Sequence, residues 1–133
     1  MFVFPGQGSQ YAGMGADICR EHAVARKIYE QAGDVLGYDL AEISFSDPRD
    51  QLNQTRFTQP ALLTHSIACL EVFRELTEDR LQPVIAAGHS LGEYSALVAA
   101  KILTFESALK LVQKRGELMG THGEGEMTAF PLA

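Results

Sequence analysis

Apolar positions along the chain follow two rhythms, and the helical one dominates. Ile18, Val24, Ala25, Ile28, Ala32 and Val35 fall near one face of a helix from about Asp17 to Leu36, with Gly33 and Gly37 as its stop signals. Leu63, Ile67, Leu70, Phe73 and Leu76 make the buried stripe of a second, longer helix. Thr58-Gln59-Pro60 opens it, with the proline in the first turn where its missing N–H costs nothing. His65 lies off that stripe, as a surface or boundary residue does. A third pattern, from about Thr104 to Met119, sets Phe105, Ala108, Val112 and Met119 on one side and Glu106, Lys110, Gln113, Lys114 and Glu117 on the other. Two short runs break the helical period: Phe2-Val3-Phe4, stopped by Pro5, and Val84-Ile85-Ala86-Ala87, started by Pro83. Both predict strands, the first apolar on both faces as in the middle of a parallel sheet. Asp39 to Arg56 reads as short helical turns interrupted by Pro48 and Asn53, and Glu126 to Phe130 as the start of a further strand. The fold class predicted is α/β, a parallel sheet flanked by helices, within one domain spanning residues 1–133.

The second strand runs into Gly88-His89-Ser90-Leu91-Gly92, a G-x-S-x-G pattern, and then into Glu93 to Ala100, which predicts a helix. Strand, tight turn and helix in that order push the serine oxygen out at the end of the sheet, and the two glycines leave room for the close approach that the turn requires. A helix starting just after Ser90 aims unpaired N–H groups at negative charge developing on a bound acyl group. The plainer alternative is a glycine-lined turn carrying an idle serine. Gly6, Gly8, Gly13 and Gly15 give the first loop the freedom to approach a ligand closely, or simply to join a strand to a helix. Their spacing is not that of a dinucleotide-binding fingerprint.

Arg115 falls in the middle of the apolar side of the third helix. A guanidinium sent inward needs an anion, because leaving it unpaired costs several kcal/mol. An internal carboxylate, snorkelling to solvent, or the carboxylate of a substrate would each meet that need.

Composition narrows the function classes. With 133 residues, 46% hydrophobic and 21% charged, the chain has the make-up of a soluble globular domain. A net charge of −6 without a basic block argues against nucleic acid or an anionic membrane as partner. Apolar runs are far shorter than the roughly 20 residues of a membrane span, so a cytoplasmic location is expected. Cys19 and Cys69 form no C-x-x-C and are expected to be reduced, and no metal-ligand set stands out.

Four stretches, in order, carry a resemblance that covers the whole chain: Phe2-Val-Phe-Pro-Gly-Gln-Gly-Ser-Gln10, Thr58-Gln-Pro-Ala-Leu-Leu63, Gly88-His-Ser-Leu-Gly-Glu-Tyr-Ser-Ala-Leu97, and Lys114-Arg-Gly116 followed by Met119. The sequence resembles the malonyl-CoA:acyl carrier protein transacylases of fatty acid synthesis and the acyltransferases of polyketide synthases. The resemblance implies an α/β-hydrolase-like large subdomain, and a ping-pong transfer of malonyl from coenzyme A, through a seryl ester, to the phosphopantetheine thiol of an acyl carrier protein. No bound cofactor is implied, since coenzyme A thioester and phosphopantetheine are substrates. By position, Ser90 resembles the nucleophile, the backbone N–H groups of Gln7 and Leu91 the oxyanion hole, and Arg115 the grip on the malonyl carboxylate. Gln59 and His89 lie in motifs bordering the substrate site, and adjacent side chains at such a turn point apart, which makes His89 a poor base for Ser90. The family's catalytic histidine lies beyond the matched region, as does most of the ferredoxin-like small subdomain. None of His22, His65 and His122 sits in a motif suited to replace that histidine. The expectation is the N-terminal part of an acyltransferase roughly twice as long. A serine thioesterase or esterase, or a non-catalytic fragment docking carrier protein, are the other classes compatible with these residues.

Overall fold

Strand β1 (Phe2–Phe4) pairs in parallel with β2 (Ala86–Gly88) in the computed structural model of the chain, which describes residues 1–123. The register sets Phe2 against Ala86, Val3 against Ala87 and Phe4 against Gly88. Between the two strands run α1 (Ala16–Glu21), α2 (Ala23–Leu36), α3 (Leu40–Phe45) and α4 (Thr55–Leu76); after β2 come α5 (Gly92–Ala99) and α6 (Phe105–His122). The strand expected at Glu126 to Phe130 lies outside the described residues. Among the described residues helices thus outweigh the sheet, and the expected parallel α/β arrangement is present as two strands joined by a helical crossover.

The sheet is covered on one face. Phe4 is buried and Phe2 meets Phe73 of α4 edge-on, with ring centroids 5.2 Å apart. Val3, pointing the other way, is 65% exposed, and Val84 and Ile85 are exposed with it. The run from Val84 to Ala87 therefore yields a strand only from Ala86, and β1 is not buried on both faces among the described residues. The α5 and α4 side supplies all the packing the sheet has there.

Helix α4 forms the centre of the molecule. Every residue from Thr58 to Thr64 is buried, so that stretch is enclosed on all sides, chiefly by α2, α5 and α6, rather than along a single stripe. Its Leu63 is fully buried, together with Leu109, Val112, Leu91, Met14 and Leu40 of the surrounding core. Two sequence expectations need correcting. The helix starts at Thr55, so Pro60 sits in its second turn and deprives the Arg56 carbonyl of its usual donor. The early start is fixed by Gln54, whose carbonyl accepts from the N–H groups of Phe57 and Thr58, and by Thr58 Oγ1, which donates to Leu52 O at 2.5 Å. Leu76, placed on the buried stripe by its period, is 69% exposed because the last turn of α4 runs past the core.

The single helix expected from Asp17 to Leu36 is two helices. His22 adopts an extended conformation (φ −119°, ψ 120°) that ends α1 and starts α2. Arg26 closes the break: its guanidinium donates to the carbonyls of Cys19 at 2.6 Å and Arg20 at 3.2 Å, which the interruption leaves open. Neither glycine nor proline marks that site, which is why periodicity passes over it. Gly37, in contrast, ends α2 as expected, in the left-handed conformation (φ 79°) and with its N–H on Gly33 O.

Because Leu63 has no exposure and sits in the enclosed stretch of α4, Leu63→Ala should cost about 2–5 kcal/mol in a urea unfolding series. Leu76→Ala, outside the core, should cost less than about 0.5 kcal/mol.

Candidate active site

Three backbone segments meet where β2 ends. His89 N–H donates to Phe4 O at 3.1 Å, extending the sheet contact by one residue into the turn. A Cβ on Gly92 would overlap the Phe4 carbonyl and lie 2.8 Å from Pro5 O; one on Gly88 would overlap the Gly92 backbone; one on Gly6 would lie 2.5 Å from His89 O. These contacts leave space for hydrogen only. The chain must then reverse within the intervening residues, and Ser90 takes φ 53°, in the left-handed region that costs a non-glycine residue about 1–3 kcal/mol. Gly92 N–H on His89 O (2.9 Å), Glu93 N–H on Ser90 O (3.1 Å) and Tyr94 N–H on Leu91 O (3.0 Å) hold the turn and start α5. Ser90 is left exposed at the tip, while Leu91 is buried beneath it.

Arg115 reaches the serine from α6. Its Nη2 donates to Ser90 Oγ at 3.0 Å and its Nη1 to Gln59 Oε1 at 2.8 Å, while its guanidinium carbon lies 5.8 Å from the ring centroid of Tyr94 on α5. Gln59, on α4, has no exposure, and its Nε2 donates to Met119 Sδ at 3.3 Å, one turn of α6 beyond Arg115. Among the described residues no carboxylate pairs with Arg115. Its charge faces neutral oxygens and an aromatic ring beside an exposed hydroxyl, a half-buried cation ready for an anion.

Gly116 explains how α6 comes so close. A Cβ there would lie 2.8 Å from Thr55 O and 2.9 Å from Arg56 Cα, so the start of α4 packs directly on the α6 backbone. The first loop is docked on the same region: Gln7 Nε2 donates to Thr55 Oγ1 at 3.3 Å, Gln10 Nε2 to Asn53 Oδ1 at 2.9 Å, and Gly8 N–H to Gln10 Oε1 at 2.8 Å. Among the described residues the backbone N–H groups of Gln7 and Leu91 have no protein acceptor.

The structure thus joins Ser90, Arg115 and Gln59 by hydrogen bonds and sets the loop holding Gln7 against the turn through Gly6. His89 is exposed, its Nδ1 lying 2.8 Å from where a Gly6 Cβ would be, and it does not bond Ser90. His22 pairs with Glu75 at 3.3 Å; His65 lies 3.7 Å from Cys69 Sγ, its imidazole pushed below its usual range by burial. Among the described residues no histidine bonds Ser90 Oγ, and no group of His, Cys, Asp and Glu is placed to hold a metal. No described helix is long and apolar enough to cross a membrane. Gly116 and Met119, which stand in the fourth motif without a role assigned to them, also form the site. Met119, on the apolar side of α6 by its period, is 41% exposed and meets Gln59 through its sulfur.

Across residues 1–133 the chain matches the family described as the acyl transferase domain. A malonyl CoA-acyl carrier protein transacylase of Haemophilus influenzae is 51% identical over 131 residues, which are 96% of this chain and 42% of that protein. The crystal structure of an acyl carrier protein S-malonyltransferase from Vibrio cholerae superposes with a TM-score of 0.85 at 50% identity, covering 90% of this chain and 39% of that one. A malonyl-transacylase solved in complex with its type II polyketide synthase acyl-carrier protein gives a TM-score of 0.83 at 48% identity, over 89% of this chain and 38% of that one. The chain spans about two fifths of the length of the curated relatives it matches.

The glycine contacts predict opposite outcomes for one substitution at two places. Gly92→Ala forces a methyl group into the Phe4 carbonyl and should lower unfolding free energy by about 3 kcal/mol. Gly120→Ala, in α6 with open space around it, should raise it by about 0.5 kcal/mol. Urea midpoints of the two variants check both signs.

Proposed function

Starting from its membership of the acyl transferase domain family, to which the chain belongs, we propose that it supplies the nucleophile and the acyl-carboxylate clamp of an enzyme moving malonyl groups from coenzyme A to an acyl carrier protein. The observation that carries this reading is the 3.0 Å bond from Arg115 Nη2 to Ser90 Oγ, which sets a free positive charge where a short diacid ester on Ser90 would place its far carboxylate.

In the first half-reaction Ser90 Oγ bonds to the thioester carbon and its proton leaves. The carbonyl oxygen becomes an oxyanion, and the unpaired N–H groups of Gln7 and Leu91 are the donors assigned to it. Breaking the C–S bond then releases coenzyme A and leaves malonyl as a seryl ester. In the second half-reaction the phosphopantetheine sulfur bonds to the ester carbon, its proton passing through the base to Ser90 Oγ as the carbon–Oγ bond breaks, and the same donors hold the oxyanion. Arg115 turns from Oγ to the malonyl carboxylate, which accepts two parallel N–H bonds, while Gln59 Oε1 keeps its bond from Nη1. The serine proton goes to a base that none of the described histidines provides, and from that base to the departing coenzyme A sulfur. The chemistry needs no resident cofactor, because coenzyme A thioester and phosphopantetheine enter as substrates. The proposed setting is the cytoplasm, a compartment that keeps thiols such as Cys19 and Cys69 reduced.

Incubating the protein with labelled malonyl-CoA should place the label on Ser90, and Ser90→Ala should abolish it; a label on another residue overturns the assignment. Arg115→Ala should slow malonyl transfer by about a hundredfold and acetyl transfer far less, since only malonyl loses a charge-paired contact. Equal losses for both acyl groups would remove the carboxylate role. Release of free malonate faster than transfer to carrier protein would instead assign the site to a thioesterase.

A further inference from the structure

Among the described residues the Arg115 guanidinium has two side-chain hydrogen-bond partners, Ser90 through Nη2 and Gln59 through Nη1. With no exposure, the Gln59 side-chain amide cannot use solvent, so each end needs a protein partner. Oε1 takes Arg115 Nη1 at 2.8 Å, and Nε2 has Met119 Sδ at 3.3 Å. The thioether is an acceptor and never a donor, so it favours only the amide orientation that turns Oε1 toward the arginine. The opposite orientation would point N–H groups at the N–H groups of Arg115 and leave the carbonyl facing sulfur. Met119 lies four residues after Arg115 on α6, which puts both side chains on one face, one turn apart.

We propose that Met119 is a positioning residue: by accepting from Gln59 it locks the amide that holds the Arg115 guanidinium toward Ser90, and so sharpens the preference for acyl groups ending in a carboxylate. The proposal rests on Arg115 being the carboxylate clamp. It explains why an apolar side chain so near the surface is a methionine, since leucine would fill similar space and accept nothing.

Two measurements on Met119→Leu and Met119→Gln separate this inference from the reading beneath it. The first is the ratio of kcat/KM for malonyl-CoA to that for acetyl-CoA. Met119→Leu should lower the ratio about three- to tenfold, through the malonyl KM, and Met119→Gln, whose Oε1 accepts from Gln59, should restore most of it. A purely structural role would change both substrates together and leave the ratio unmoved, which overturns the proposal. The second needs no acyl group: by nuclear magnetic resonance, the Gln59 side-chain N–H signals, assigned with Gln59→Leu, should exchange with solvent slowly in the parent protein and about tenfold faster in Met119→Leu. Unchanged exchange refutes the lock whatever cargo the serine carries. Should the parent protein show no malonyl preference, the clamp reading fails alone, and the exchange rates still decide whether Met119 holds Gln59.

Discussion

At Gly92 the first turn of α5 presses its backbone against the carbonyl of Phe4, with no room for a single methyl group. The same Phe4 carbonyl accepts the His89 N–H, so the last residue of β1 contacts the turn on both sides of Ser90. Between those two fixed points the chain has only Ser90 and Leu91 with which to reverse. Leu91 goes inward and is fully buried, and Ser90 goes outward at a positive φ. The strain at Ser90 is therefore the local consequence of packing a strand end and a helix start closer than side chains permit. Burial of Leu91 and the start of α5 offset it, Leu91 by about 2 kcal/mol on the usual scale for a buried leucine. A hydroxyl held this way cannot relax into the protein, because every backbone segment around it is already in contact.

The charge beside that hydroxyl follows a similar logic. Arg115 would be more stable, in isolation, against a carboxylate, and Glu117 stands only two residues along the same helix. Two positions apart, the side chains point to different faces, and Glu117 pairs with Lys114 at the surface instead. Arg115 is left with the carbonyl oxygen of an amide, a hydroxyl and the face of Tyr94. Neutral partners hold the guanidinium in place at modest cost without neutralising it. A carboxylate partner would have to be displaced by any incoming anion, so the net gain on binding would be small. Orientation by neutral groups keeps the charge available.

How much of this could be read from the residues depends on how local each feature is. The G-x-S-x-G turn is local, and its glycines announce the tight approach that the structure contains. Arg115 is legible as an anomaly, a cation on an apolar face; its position alone leaves an internal carboxylate, solvent and a substrate open, and the resemblance points to the substrate. Its actual partners are fixed by how α6 crosses α4, a tertiary fact that depends on Gly116 meeting Thr55 and Arg56. The break at His22 depends on Arg26 reaching back to two carbonyls, and nothing in the spacing of apolar residues records that. The placing of Pro60 failed for a related reason. A proline is usually a sign of a helix start, but Gln54 and the Thr58 hydroxyl begin α4 five residues earlier. The period of α6 puts Met119 on the core side, whereas its sulfur accepts from Gln59, a contact set by how α6 crosses α4.

These separate features converge on the first five residues of α4. Thr55 receives the Gln7 side chain from the first loop and touches Gly116; Arg56 lies against the same glycine; Gln59 holds Arg115. One short stretch therefore sets the height of the first loop, the depth of α6 and the direction of the guanidinium relative to Ser90. Had α4 begun at Thr58, as its proline suggests, Thr55 and Arg56 would lie in a flexible connection and neither the loop nor α6 would have a rigid surface to seat on. The extra turn places Pro60 where its ring costs a backbone hydrogen bond. That loss is tolerable because the segment is anchored by tertiary contacts on every side, so the helix does not rely on its own hydrogen bonds there. The same enclosure explains why a polar residue such as Gln59 can be wholly buried: both ends of its amide are claimed by α6, and its position along α4 is fixed by the packing around it.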